Sequence, residues 1–218
     1  MLAQGVVVDP SGAATADGTT TALNFGRAND LIVSELHGKY FQQCYRGNVF
    51  LASTTTAGVV LPISSTLTPT YSLWNPAGSG KLIVPIVTLI SWNVTTGVFG
   101  GLCWHATTNA GSSISTTAPF VAFGTGTPVN ANIGSGKVSQ LRAGTGGTTT
   151  LVAAATFYRG IGVTLITGAT SVPTAPFTMR DDWDGSGILP PGNAIHLFGT
   201  TAIAITACVT TVYEEVPL

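Results

Sequence analysis

The sequence predicts an all-β protein, a jelly-roll-like sandwich, on three observations. Short runs rich in Val, Ile, Leu, Thr, Phe and Tyr alternate with Gly, Pro, Asn and Ser clusters from residue 30 onward. Almost nothing reads as helix, because β-branched residues and 27 glycines interrupt every helical period. The chain has 218 residues, an ordinary length for one sandwich domain. Strands at this spacing without intervening helices favour a sandwich or barrel. An immunoglobulin-like sandwich is the second choice.

Residues 1–29 form a low-complexity segment that includes Ser11-Gly12-Ala13-Ala14-Thr15 and three consecutive threonines, Thr19–Thr21. It carries too little apolar surface to fold alone and is expected to be an extended N-terminal arm held by a neighbouring subunit. Residues 30–218 are expected to be the sandwich domain. A helix of one or two turns is expected over 35–43, broken by Gly38. Strands are expected over 31–36, 47–53, 70–75, 81–92, 97–106, 120–123, 151–158, 163–166, 194–199 and 203–213. The separating turns are Asn75-Pro76, Gly78-Ser79-Gly80, Gly100-Gly101, Gly134-Ser135-Gly136, Gly144-Thr145-Gly146-Gly147, Gly185-Ser186-Gly187 and Pro190-Pro191-Gly192. Residues 107–119 and 129–150 read as long Gly/Ser/Thr/Ala connections, expected at one end of the sandwich in contact with neighbours.

Charge decides the functional class. Asp, Glu, Lys and Arg make up 8% of the chain, against about 25% in ordinary soluble domains. The hydrophobic fraction, 44%, is unremarkable. A surface this neutral is expected to be largely covered by partners, because charge is what keeps free monomers apart. With a net charge of -1 there is no basic stripe for phosphates, so nucleic-acid binding is not expected. The weakly polar run 82–92 is far too short for a membrane span and contains Pro85. Met1-Leu2-Ala3-Gln4 lacks a basic n-region and an apolar h-region, so assembly in a cytoplasm is expected.

No motif identifies a chemistry. Asn75-Pro76-Ala77-Gly78-Ser79-Gly80-Lys81 fails as a phosphate loop, since Asn75 stands at the first glycine and Leu82 follows the lysine. Asp181, Asp182 and Asp184 are the only dense carboxylates. They could offer oxygens to calcium, but the EF-hand spacing breaks after Ser186, so a solvated acidic turn paired with Arg180 or a neighbour's arginine is preferred. No cofactor and no catalytic residue is assigned. His37, His105 and His196 have no Gly-x-Ser-x-Gly partner. His105 and His196 read as strand positions facing solvent or an interface. Cys44, Cys103 and Cys208 are odd in number and widely spaced, and read as small buried hydrophobes. Glu214 and Glu215 are expected on opposite sides of the last strand. Trp74, Trp92 and Trp104 read as core, whereas Trp183 is the one tryptophan expected at the surface, where it could stack on a sugar.

Three stretches carry a resemblance. They are His37-Gly38-Lys39-Tyr40-Phe41 with Arg46-Gly47-Asn48-Val49-Phe50; Leu73-Trp74-Asn75-Pro76-Ala77-Gly78-Ser79-Gly80-Lys81; and Pro190-Pro191-Gly192 with the ending Tyr213-Glu214-Glu215-Val216-Pro217. In these the chain resembles small all-β structural proteins of bacteriophage virions. The resemblance implies a sandwich or jelly roll, a homotrimer and a place on the virion, with head and tail both open. The preferred expectation is a capsid decoration, or cement, protein that binds the major capsid protein or other virion proteins. The alternatives are a tail, fibre or spike component that recognises host glycans, and a virion-associated glycan hydrolase. A major capsid protein is disfavoured, since the common phage shell fold needs a long helix.

Overall fold

The computed structural model describes residues 38–63, 68–92, 101–108, 121–122, 128–145, 155–162, 178–200 and 206–218. The sandwich lies within Gln42–Leu218. The expected arm over 1–29, the strands expected over 31–36 and 163–166, and His37 lie outside the described residues. The helix expected over 35–43 appears as one short turn, α1, Phe41–Tyr45. Twelve strands follow: β1 Val49–Ser53, β2 Val59–Val60, β3 Ser72–Asn75, β4 Lys81–Trp92, β5 Leu102–Thr107, β6 Val121–Ala122, β7 Val129–Asn130, β8 Arg142–Thr145, β9 Thr156–Gly162, β10 Thr178–Asp182, β11 Asn193–Gly199 and β12 Thr206–Pro217.

The strands form two six-stranded antiparallel sheets. One runs β10-β4-β12-β1-β7, with β2 also on β12; the other runs β6-β8-β3-β11-β5-β9. Their pairing is nested: β1 with β12, β3 with β11, β4 with β10, and β5 with β9. The chain is thus one long hairpin rolled up, closed by β4 against β12 and β5 against β11. That is a jelly roll of eight principal strands. An immunoglobulin-like sandwich, with sheets ABED and CFG, lacks this nesting.

Side-chain alternation explains how the sheets face each other. Along β12 every second residue is buried, placing Ala207, Val209 and Tyr213 in the core. On β4 the alternation changes phase. Ile83 and Pro85 are buried, and then Ile86, Thr88 and Ile90. The ladder to β12 shifts at the same place, Val212 opposing Val87 and Tyr213 opposing Pro85, which leaves Ile86 as the extra residue of a bulge. Proline cannot donate to a ladder and is tolerated at such a point. The freed Ile86 carbonyl accepts from Trp183 N–H at 2.9 Å and Asp184 N–H at 3.1 Å. One proline therefore re-aims the strand and anchors the loop after β10.

Residues 129–150, expected as one long loop, contain β7 and β8. The reason for the miss is local: Arg142-Ala143-Gly144-Thr145 has little β propensity and is a strand because it pairs with β3. Likewise the acidic cluster begins inside strand β10, where Asp181 opposes Thr88 and Asp182 opposes Val87. Residues 109–119 of the other expected loop lie outside the described residues.

Candidate interaction surface

At one lateral edge of the roll, β9 ends one sheet and β10 ends the other. Strand β9 bulges twice against β5: Phe157 opposes His105 while Arg159 opposes Trp104, and Gly160 opposes Cys103 while Gly162 opposes Leu102. The first bulge turns the consecutive Tyr158 and Arg159 toward one partner, Trp183. Tyr158 stacks on the Trp183 ring at 6.0 Å, and the Arg159 guanidinium lies over it at 5.0 Å. Trp104 meets the same ring edge-on at 5.4 Å. Arg159 then bridges the sheets. It pairs with Asp181 at 2.7 Å and donates to the Asp182 carbonyl and to Ser186 Oγ, both at 2.9 Å. Asp181 also accepts from the Trp104 indole at 3.0 Å.

This arrangement corrects two expectations. Trp183 is 2% exposed, not a surface aromatic. The loop backbone is tied to Ile86, and Gly187 packs on the ring so closely that a Cβ there would sit 2.7 Å from it. Nor is Asp181 solvated: it is buried beneath Arg159, while Asp182 faces out and pairs with Arg180 at 2.7 Å. Burial pushes the Asp181 carboxyl up, against the downward pull of Trp104 and Arg159. Hydrogen bonding from Arg180 holds Asp182 down. The three aspartates do not converge, and among the described residues no three His, Cys, Asp or Glu side chains form a metal-ligand group. The exposed aromatics at this edge are Phe157, at 60%, and Tyr158, at 46%; Phe41 and Tyr45 of α1 are exposed as well.

His196 and His105 are also buried, contrary to expectation. Strand β11 lies between β3 and β5 and is buried on both faces, so alternation brings neither row to solvent. The His196 ring uses both nitrogens, Nδ1 with Ser72 Oγ at 2.7 Å and Nε2 with Thr107 Oγ1 at 3.0 Å. Burial, then the neighbouring His105, lower its pKa to about 3. His105 Nδ1 donates to the Ala155 carbonyl at 2.8 Å. Cys103 is buried, Cys44 and Cys208 are half-buried, and all three are free thiols. Glu214 and Glu215 do face opposite ways: Glu214 is half-buried and Glu215 lies on the inward row. The Asn75–Lys81 stretch is a turn closed by the Asn75 amide, which donates to the Lys81 and Leu189 carbonyls at 2.8 and 2.9 Å.

At the opposite edge, the segment from β7 to β8 is fixed along its length. Asn130 donates to the Gly47 carbonyl, Asn132 to that of Tyr45, and Lys137 Nζ to that of Arg46 and to Asn48 Oδ1. The inward carboxylate of Glu215 accepts from Ser139 Oγ at 2.6 Å and Gln140 N–H at 2.8 Å. Because Ser139 donates to Glu215, the Tyr213 hydroxyl donates to Ser139 at 2.7 Å. On this braced loop Ile133 is 93% exposed and Val138 80%. Beside it runs a groove of about 710 Å³ between the loop and the β3–β4 turn. Sequence reasoning missed these residues; their only signal was two aliphatics standing alone among Asn, Gly, Ser and Lys.

No protein-family model, no curated protein and no solved structure matches this chain.

Proposed function

We propose that this protein is a bacteriophage virion structural protein, a cement protein that decorates and stabilises the head shell as a homotrimer. The observation that carries the reading is the braced loop: the Asn130, Asn132 and Lys137 side chains tie it to residues 45–47, and the Ala131 and Gln140 N–H groups bond to Val49 O and to Glu215, yet Ile133 and Val138 stand in water. A loop fixed before binding loses little entropy on docking, and aliphatics are the side chains whose burial drives association. The charge deficit of the whole chain points the same way, since interface centres are poor in charge. Jelly rolls are used for capsid and lectin domains alike, so the fold supports the reading only as an analogy.

Cement acts by mass action. A partner that binds the intact shell and not its fragments stabilises the shell in proportion to occupancy. Particles lacking the protein are therefore expected to assemble and then to break at lower temperature or milder osmotic shock, with unchanged adsorption to cells. Robust heads that no longer adsorb would overturn the reading in favour of a tail, fibre or spike component. That second reading is favoured by one observation, the exposed Phe157 and Tyr158 on β9. A monodisperse monomer at micromolar concentration, measured by sedimentation, would count against the trimer.

A further inference from the structure

The groove beside the braced loop has a chemistry of its own. Its wall includes Val129, Lys137, Val138 and Arg142, with Ser79 across from them on the β3–β4 turn. Among the described lining residues Lys137 and Arg142 are the only charged ones, and both are cations. The whole chain has eight Lys and Arg, so two on one groove with no acid among its described lining residues is a concentration of charge. Arg142 stands on the outward row of β8, exposed, while Ala143 beside it is buried. Its guanidinium takes part in no hydrogen bond or ion pair among the described residues. Lys137 uses two of its three N–H donors on Arg46 O and Asn48 Oδ1. Its ammonium is held in place with one donor left over. The Glu215 carboxylate, beneath the same loop, is committed to Ser139 and to the Gln140 and Leu141 backbone.

We propose that this groove docks an extended acidic segment of a partner protein, its carboxylates on Arg142 and Lys137 and its aliphatic side chains on Val129 and Val138. The inference rests on the reading of the chain as a virion component and names the chemistry of what it grips. An arginine fork and a lysine fixed by its neighbours match carboxylates by charge-assisted hydrogen bonds. Val129 and Val138, 48% and 80% exposed, supply the apolar part. Among the described residues the lining has no aromatic side chain, which disfavours nucleobases, whose binding relies on stacking. A groove of about 710 Å³ has room for an extended segment.

The test uses the full-length protein and two synthetic ten-residue peptides, one alternating glutamate with valine and one alternating glutamine with valine. Binding is measured by calorimetry at low ionic strength. The glutamate peptide is expected to bind at least about tenfold more tightly than the glutamine peptide. Arg142→Glu with Lys137→Glu should abolish that preference, and Arg142→Lys should retain most of it. Equal binding of the two peptides, or no binding of either, overturns the proposal. So does a charge-reversed protein that falls from trimer to monomer with its peptide preference intact, because the occupant is then a second copy. The same proteins are added to heads that lack the protein. If wild type decorates heads and the charge-reversed variant decorates them equally, the groove assignment fails and the cement reading stands. If wild type does not decorate heads while the peptide preference holds, the cement reading fails and the groove assignment stands.

Discussion

Replacing Arg159 by Ala should reveal what holds the β9–β10 edge together. The substitution removes the 2.7 Å pair with Asp181, the hydrogen bonds to the Asp182 carbonyl at the β10 end and to Ser186 Oγ in the loop after it, and the cation over Trp183. It leaves the Asp181 carboxylate, 5% exposed, without its counter-charge. Removing one member of a fully buried pair costs about 3–5 kcal/mol. The Arg159 side chain is 31% exposed, so water partly replaces it, and a loss of about 2–3 kcal/mol at pH 7 is expected. For a chain of this size that lowers Tm by roughly 4–12 °C. The loss should also depend on pH. Burial already raises the Asp181 pKa in the folded state, so this group favours folding at acidic pH and stops doing so as pH rises. Without Arg159, which lowers that pKa, the folded value rises further. The deficit of the variant is then full above that higher value and shrinks as pH falls through it to the wild-type folded value, itself above the free carboxyl value of about 4. Urea denaturation at pH 7 and at pH 4 reads both quantities. In an Asp181→Asn background the same substitution should cost at least about 1 kcal/mol less. A deficit below about 0.5 kcal/mol at pH 7, or one that does not change with pH, would refute the ion pair as the source.

Gly187→Ala puts a Cβ 2.7 Å from the Trp183 ring and should lower stability by about 1–3 kcal/mol, measured by thermal melting; a neutral result would mean that the loop after β10 yields easily. His196, with a folded pKa of about 3 against about 6.5 unfolded, lowers stability as pH falls below 6.5, because the unfolded chain takes up the proton and the folded chain does not. His196→Gln should flatten the stability profile between pH 6.5 and 4 by up to about 1.4 kcal/mol per pH unit, and an unchanged slope in urea titrations would show that other groups govern acid unfolding.

The parts of this fold that can be read from sequence are those whose face is set by alternation alone. Strand β4 runs over 81–92 as expected, and β11 departs by one residue, because an apolar run between turn signals has no rival interpretation. What fails to read is what depends on a partner distant in sequence. Strand β10 looks like an acidic turn until Arg159 is placed beside Asp181. Trp183 looks exposed for the same reason, since polar neighbours surround it in sequence while Trp104, Tyr158 and Arg159 surround it in space. The histidines mislead differently: a central strand buried on both faces defeats any inside-outside count. Ile133, Val138 and Arg142 are ordinary loop residues in the sequence. Only the hydrogen bonds that brace the loop show that their exposure is a fixed property of the surface.

The nested pairing also governs how the chain can be made. Strand β12 lies between β1 and β4, and Val49 meets Glu214. On a ribosome, β1 and β4 emerge long before the strand that joins them. Until β12 arrives, each has an open edge and an uncovered apolar face, the condition under which chains aggregate. The contact that completes the sheet also closes the longest loop, so it comes late and slowly. Yield in a recombinant host is therefore expected to be limited by the interval between synthesis of β4 and release of β12, and slower translation or cooler growth should improve it. A truncation that stops before β12 leaves β1 and β4 each with an open edge in the middle of their sheet.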